Sequence, residues 1–284
     1  MIRTVTLTGS PPDHGLEILH PNVRTGRTRC ALFDFDGTIS VIRRGWERIM
    51  ISLMIEMISD GNSIPLNIES VVEEYVDHST GILTIKQMQW LEEAVRRYGR
   101  SRRVLTASEY KQIYNERLLR PVRMRLNGIN GVPVSADSLM IAGARDFLEK
   151  LARRGVRLFL ASGTDQEYVQ QEAAALGVAG FFGGHIYGAR GDSEEDSKEL
   201  VIERILQENH LAGDELLVVG DGPVEIRFAR QVGAVALGVA ADEDTRQTLS
   251  PRKRARLVEA GADLLVTNFL QAAALVDLLC GAVR

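Results

Sequence analysis

The chain has 284 residues, 45% hydrophobic and 25% charged, with a formal net charge of −4. These proportions suit a folded globular protein and exclude collagen-like, disordered and disulfide-scaffold classes. The mildly acidic balance draws the chain to neither nucleic acid nor an anionic membrane, so neither is an expected partner. Cys30 and Cys280 lie at opposite ends without metal-ligand spacing and read as reduced thiols. The most apolar stretch, 49–58, is broken by Ser52 and Glu56 and falls short of the roughly 20 residues that span a bilayer. The first residues lack the apolar run of a signal peptide, so a cytoplasmic protein is expected.

Residues 1–28 carry two short β-like pieces around Val5 and Ile18, separated by Pro11-Pro12. They read as an N-terminal extension or edge ribbon. Cys30-Ala31-Leu32-Phe33 is the continuous apolar run of a strand buried on both faces, and it stops at Asp34-Phe35-Asp36-Gly37-Thr38. Between 43 and 137, apolar residues recur at three- and four-residue steps over 44–59, 67–77, 84–98 and 107–126. Gly61, Pro65, Gly81 and Gly99 punctuate them, and no strand alternation appears. From 138 onward helices alternate with strands. Helices are expected over 144–154, 166–176, 197–209, 224–232 and 269–280; strands are expected over 156–161, 181–187, 216–219, 234–239 and 264–266. Such alternation predicts a parallel α/β sheet. The expected architecture is a Rossmann-like α/β core, 29–42 plus 138–284, interrupted by an all-helical cap, 43–137.

Ligands of such sheets gather beyond the carboxyl ends of the strands, and polar residues cluster there. Asp34 and Asp36 follow the first core strand, Ser162-Gly163-Thr164 the second, and Asp221 a later one. Lys198 opens a helix after the acidic loop 191–196, with Ser197 as its N-cap. Asp34 and Asp221 on neighbouring strand ends would repel each other without a cation between them, and hard oxygen ligands favour Mg²⁺. A carboxylate beside a phosphoryl group can attack phosphorus. Thr38, the Gly37 turn, Ser162 and Lys198 are the kinds of donor that stabilise the transferring group. Asp36, two residues on, can serve as general acid and then base.

These residues resemble the motifs of the haloacid dehalogenase superfamily of phosphohydrolases. The D-x-D-x-T motif reads Asp34 to Thr38, the strand-ending Ser/Thr is Ser162, the helix-opening lysine is Lys198, and G-D-x-x-x-D reads Gly220 to Glu225. The resemblance covers roughly the α/β core, and the cap resembles that of the phosphoglycolate-phosphatase-like branch. It implies an Asp34 nucleophile, an Asp36 acid/base, and Mg²⁺ held by Asp34, the Asp36 carbonyl and Asp221. Thr38 and Gly163 are further expected substrate contacts. Glu225 departs from the commoner aspartate; the added methylene suggests action through water or as an orienter of other groups.

The function expected is a Mg²⁺-dependent phosphatase of a small phosphorylated metabolite, a sugar phosphate being one candidate. Asp36 argues against dehalogenation. A phosphosugar mutase shares all four motifs, and a phosphonatase would need a cap lysine, for which only Lys86 and Lys111 are available. From another class, a non-catalytic Mg²⁺-binding signalling domain is the competing reading. Arg43 and Arg44 open the cap beside the site, either as a clamp for substrate anions or as a solvated helical turn. Segment 96–125 holds nine arginines and Lys111 against Glu109 and Glu116, and reads first as solvated cap helices, with attraction of a polyanionic substrate or a nucleic acid as the alternative. The run Arg252-Lys253-Arg254-Ala255-Arg256 after Pro251 reads as an exposed helix start with no role at the site.

Overall fold

A computed structural model describes residues 3–5, 15–60, 67–99, 103–128, 134–191 and 197–282. Pro11-Pro12, Gly61, Pro65 and most of the acidic loop before Lys198 lie outside them. The strands are β1 (Arg3–Val5), β2 (Leu16–Ile18), β3 (Cys30–Phe33), β4 (Arg157–Asp165), β5 (Ile186–Ala189), β6 (Leu216–Gly220), β7 (Val235–Val239) and β8 (Leu264–Val266). They form one sheet in the order β1-β2-β8-β7-β6-β3-β4-β5. All pairings from β8 to β5 are parallel; β2 joins β8 antiparallel, and β1 joins β2 in the same sense.

Side chains of β3 alternate between two cores. Ala31 and Phe33 enter one, Cys30 and Leu32 the other, and β6 repeats the pattern with Leu217 and Val219 against Leu216 and Val218. This is the period-2 geometry of a strand covered on both faces, which is why the sequence shows a solid apolar run. On the first face lie α5 (Ala144–Arg153), α6 (Gln166–Ala175) and α10 (Ala272–Cys280). Phe147 of α5 meets Phe33 edge-on at 5.8 Å and stacks on Phe269 at 4.8 Å. On the second face lie α7 (Lys198–Glu208), α8 (Pro223–Gln231) and α9 (Pro251–Glu259).

Between β3 and α5 the chain forms α1 (Trp46–Ser59), α2 (Ile68–His78), α3 (Thr84–Tyr98) and α4 (Ala107–Leu126). Met50, Leu53 and Met54 of α1 are buried with Val72 and Val76 of α2, Met88 and Leu91 of α3, and Tyr110 and Tyr114 of α4. Tyr75 lies flat on Trp90, ring centres 3.9 Å apart. A capping box between Thr106 and Glu109 starts α4.

Two expected strands differ in their limits. The one expected over 181–187 begins only at Ile186, because Gly183 and Gly184 take left-handed φ values of 55° and 89° and Ala179–Phe182 winds into a 3-10 turn. Phe182 still reaches the core, from that turn. The strand expected to end at Ala161 instead continues to Asp165, where it pairs with Ala189 after a register shift. Ser162, Gly163 and Thr164 therefore extend from a strand held by backbone bonds. Among the described residues no helix is long and apolar enough to cross a membrane.

Candidate active site

The chain runs from β3 outward to β4 and β5, then returns to the other side of β3 for β6. That reversal makes the carboxyl end of β3 a topological switch point, where open α/β sheets form their ligand crevice. Register places the site's members: Phe33 is level with Leu160 of β4 and Val219 of β6. The residue after Phe33, Asp34, therefore emerges between the ends of both neighbours. Its N–H donates to the Val219 carbonyl at 2.8 Å, fixing the start of the turn.

Asp34, Asp36, Ser162, Gly163, Lys198 and Asp221 line one cavity. Lys198 Nζ lies 2.8 Å from Asp34 Oδ1 and donates to Glu225 Oε2 at 3.1 Å. The ammonium is buried; its two carboxylate partners outweigh the cost of desolvation and raise its pKa. Burial, reinforced by Glu225 and Asp221 and opposed by Lys198, pushes the Asp34 carboxyl well above its ordinary range. The other oxygen of Glu225 accepts the Gly222 N–H at 3.0 Å, so this side chain both caps α8 and aims Lys198.

Asp36 occupies a different setting. Its Oδ2 accepts from Thr164 Oγ1 at 3.1 Å and from Ser162 Oγ at 3.4 Å, while its buried Oδ1 has no hydrogen-bond partner among the described residues. Burial pushes its pKa up to about 7; Arg43 pulls it down, and Glu172 pushes it up again. The carboxyl group is thus poised to exchange a proton near neutrality.

Several sequence expectations are corrected. Arg43 is not a free clamp or a solvated helical turn: it is buried and tied to Glu172 of α6, with Nη2 donating to Oε1 at 2.7 Å. It borders the cavity but spends its fork on that partner. Arg44 lies outside the cavity, 3.7 Å from Asp244 in a separate groove. Thr38 is fully buried, does not line the cavity, and turns its hydroxyl toward Asp221 Oδ1, at 3.5 Å. Lys86 and Lys111 do not line the cavity, and Lys111 pairs with Asp165 beside it.

The largest correction concerns the basic run after Pro251. Lys253 and Arg256 are buried and face the site. Lys253 Nζ lies 2.7 Å from Asp221 Oδ2 and 2.8 Å from Glu243 Oε1, and Arg256 Nη2 donates to the Asp221 carbonyl at 3.0 Å. Burial alone would raise the Asp221 pKa, but Lys253 and Arg256 outweigh it and hold this carboxyl below its ordinary value. In the sequence a lysine and an arginine three apart share one helix face behind a Ser250-Pro251 start, a pattern that a solvated basic helix shows equally.

Sequence patterns also gave no notice of the α2–α3 loop. Gly81 takes φ +98°, and a Cβ there would lie 2.7 Å from Glu225 Oε2 and 3.4 Å from Lys198 Nζ. Ile82 presents its carbonyl to Gly163, and Thr84 Oγ1 donates to the Gly163 carbonyl at 3.3 Å. The cap thus reaches the floor of the site through backbone contacts. Trp46, Ile82, Gln87, Tyr114 and Leu118 complete the cavity from the cap side.

Asp34, Asp221 and Glu225 each bring a carboxylate oxygen within 4.8 Å of the others. This buried, all-oxygen donor set fits a small hard cation. A Rossmann-like sheet with a carboxylate pair at its switch point, a helix-opening lysine and a helical cap defines a class of hydrolase. The family profile described as haloacid dehalogenase-like hydrolase matches residues 28–233, and the chain belongs to that family. A sequence comparison with curated proteins finds no match.

Solved structures share the fold at low identity. A predicted phosphoglycolate phosphatase from Haemophilus somnus superposes with TM-score 0.58 and 17% identity, over 88% of this chain and 98% of that one. A haloacid dehalogenase-family hydrolase from Deinococcus radiodurans, solved with bound phosphate and sodium, gives 0.51 and 17% over 90% and 100%. A putative β-phosphoglucomutase from Bacteroides vulgatus gives 0.52 and 14% over 86% of each chain.

Proposed function

We propose that the chain is a Mg²⁺-dependent phosphatase that hydrolyses a small phosphorylated metabolite through transient phosphorylation of Asp34. The observation that carries this reading is the division of labour between two carboxyl groups on one turn. Asp34 faces an ammonium 2.8 Å away, and Asp36 keeps an oxygen with no hydrogen-bond partner among the described residues and a pKa of about 7.

In the first half-reaction an Asp34 carboxylate oxygen bonds to phosphorus as the ester P–O bond breaks. Asp36 Oδ1, carrying a proton, gives it to the departing oxygen. In the second, Asp36 takes a proton from water as that water attacks phosphorus, and the P–O bond to Asp34 breaks to release orthophosphate. Lys198 offsets negative charge gathering on the transferring group, and Glu225 keeps its ammonium in place. Ser162 and Thr164 hold Asp36 from the opposite side. Asp34, Asp221 and the Asp36 carbonyl would hold Mg²⁺, which when bound supplies further charge compensation for the phosphoryl oxygens.

The cavity is open to solvent on one side and offers about 60 Å³, room for about four water molecules at roughly 15 Å³ each. That space suits a phosphoryl group, with the organic part of the substrate directed toward the open side and the cap. On the cap side Trp46, Ile82, Tyr114 and Leu118 share the lining with Thr80, Thr84 and Gln87, and the one cation there, Arg43, is paired with Glu172. That pairing supports a monoester whose organic part carries no second strong anion. Both cysteines are unpaired thiols, which supports a reducing, cytoplasmic setting.

The test is phosphate release from a panel of phosphorylated metabolites, with and without Mg²⁺, beside an Asp34→Asn variant. Release that needs both the metal and Asp34 is expected. Mass spectrometry of the products from a hexose 1-phosphate separates the mutase alternative: an isomeric sugar phosphate in place of free phosphate overturns the phosphatase reading.

A further inference from the structure

Lys253 stands where a divalent cation would draw on Asp221. Its ammonium sits 2.7 Å from Asp221 Oδ2, on a carboxylate whose other oxygen faces Thr38. The D-x-D-G-T turn packs directly over this contact: a Cβ at Gly37 would lie 2.3 Å from Asp221 Oδ2 and 2.9 Å from Lys253 Nζ. No wide solvent layer separates the ammonium from the carboxylate cluster.

The charge pattern explains why a cation is built in. Asp34, Asp221 and Glu225 bring three buried carboxylates together, with the half-buried Glu243 at their edge, against Lys198, Lys253 and Arg256. Without these cations the carboxylates would be uncompensated whenever metal is absent. Each cation has a second carboxylate, Glu225 for Lys198, Asp77 for Arg256 and Glu243, at 2.8 Å, for Lys253; of the two that touch Asp221, Lys253 is the one whose ammonium sits on its Oδ2 at 2.7 Å, against 4.0 Å for Arg256. A lysine ammonium on a four-carbon stem can tilt between two such partners, because its donors rotate and carry no fixed fork.

We propose that Lys253 is an intramolecular competitor for the divalent cation at Asp221. In the metal-free protein its ammonium occupies Asp221 Oδ2; metal binding moves it onto Glu243, which retains it. The device keeps the site intact without metal and sets a weaker metal affinity than the carboxylates alone would give. This rests on the reading of Asp221 as a metal ligand.

The experiment follows metal binding without substrate. The full chain, stripped with EDTA, is titrated with Mn²⁺, and free Mn²⁺ is read from its electron paramagnetic resonance signal. Lys253→Met removes the competitor and should tighten Mn²⁺ binding about tenfold or more. Glu243→Gln removes the ammonium's alternative seat, leaves it on Asp221, and should weaken binding severalfold. A purely structural role for Lys253 would not move the two variants in opposite directions. Unchanged or weaker binding by Lys253→Met, a shift of both variants the same way, or no Mn²⁺ binding by any form overturns the proposal. Circular dichroism checks folding, and if Lys253→Met fails to fold, Glu243→Gln decides alone. Because no substrate is present, failure here leaves phosphate release as a separate test of the hydrolytic reading. An Asp221→Asn variant that binds Mn²⁺ as well as the parent would locate the failure in the ligand assignment.

Discussion

Glu172 holds Arg43 by one guanidinium edge, Nη2 donating at 2.7 Å and Nε to each oxygen at 3.1 Å, and so stops the cation 4.0 Å from Asp36 Oδ1. The arginine is near enough to act on the Asp36 proton and too far to bond its free oxygen. Burial and Glu172 raise the carboxyl pKa while Arg43 lowers it, and the balance lies at about 7.

A pH profile follows. Asp36 must hold a proton to serve as general acid, so kcat should fall as pH rises through about 7. Glu172→Gln removes a charge that raises this pKa and frees Arg43 to move toward Asp36. Both changes lower it, so the alkaline limb should shift to lower pH. Phosphate release from an alkyl monoester such as glycerol phosphate, whose alkoxide needs the proton to depart, measured from pH 5 to 9 would check this, and a limb that stays put or moves upward contradicts the arrangement.

Lys198 gives a stability prediction. Lys198→Met leaves Asp34 and Glu225 buried beside each other without their shared cation. Breaking such a buried pair typically costs about 3–5 kcal/mol, and urea unfolding at neutral pH should register a loss of that order. Adding Glu225→Gln removes one orphaned charge and should recover part of the loss. Full additivity of the two substitutions would show that the side chains are not coupled.

How much of this was legible depends on the kind of order involved. Cys30 to Phe33 announced a doubly covered strand, since a parallel sheet leaves no face for polar residues. Asp34, Asp36, Ser162, Lys198 and Asp221 were legible because each sits at a strand end or helix start that the periodicity marks, and all five line the cavity. Lys253 was read as solvated because a basic run looks alike whether it meets water or carboxylates; only the return of α9 toward Asp221 distinguishes the cases. Glu172, on a helix of weak amphipathic pattern, becomes meaningful only when α6 is laid beside the start of the cap. Thr38 shows the converse, a motif residue whose hydroxyl turns inward to Asp221.

Thr164 tests whether Asp36 is held from the β4 side. Its hydroxyl donates to Asp36 Oδ2 at 3.1 Å, shorter than the 3.4 Å contact from Ser162. Thr164→Val keeps the shape and loses the donor. The lost hydrogen bond to a charged acceptor is worth about 1.5–3 kcal/mol, so kcat should drop by about tenfold to a hundredfold with little change in KM. Equal losses in kcat and in binding of inorganic phosphate would instead make the hydroxyl a substrate contact.

Gly163 tests the cap. A Cβ at this position would lie 2.3 Å from the Ile82 carbonyl oxygen and 3.0 Å from its carbon, closer than real atoms approach, and both belong to the backbone of the α2–α3 loop. Gly163→Ala must therefore push that loop off the floor of the site, and with it the contacts Gly81 makes near Lys198 and Glu225. Misplacement by about 1 Å can cost on the order of a hundredfold in rate, so kcat/KM should fall steeply. Amide exchange around 79–85 should quicken as the loop lifts. Gly180 provides the control: it has open space for a Cβ and no left-handed φ, so Gly180→Ala should leave both readouts unchanged. Normal turnover by Gly163→Ala would mean that closure of the cap onto β4 is not needed for the chemical step.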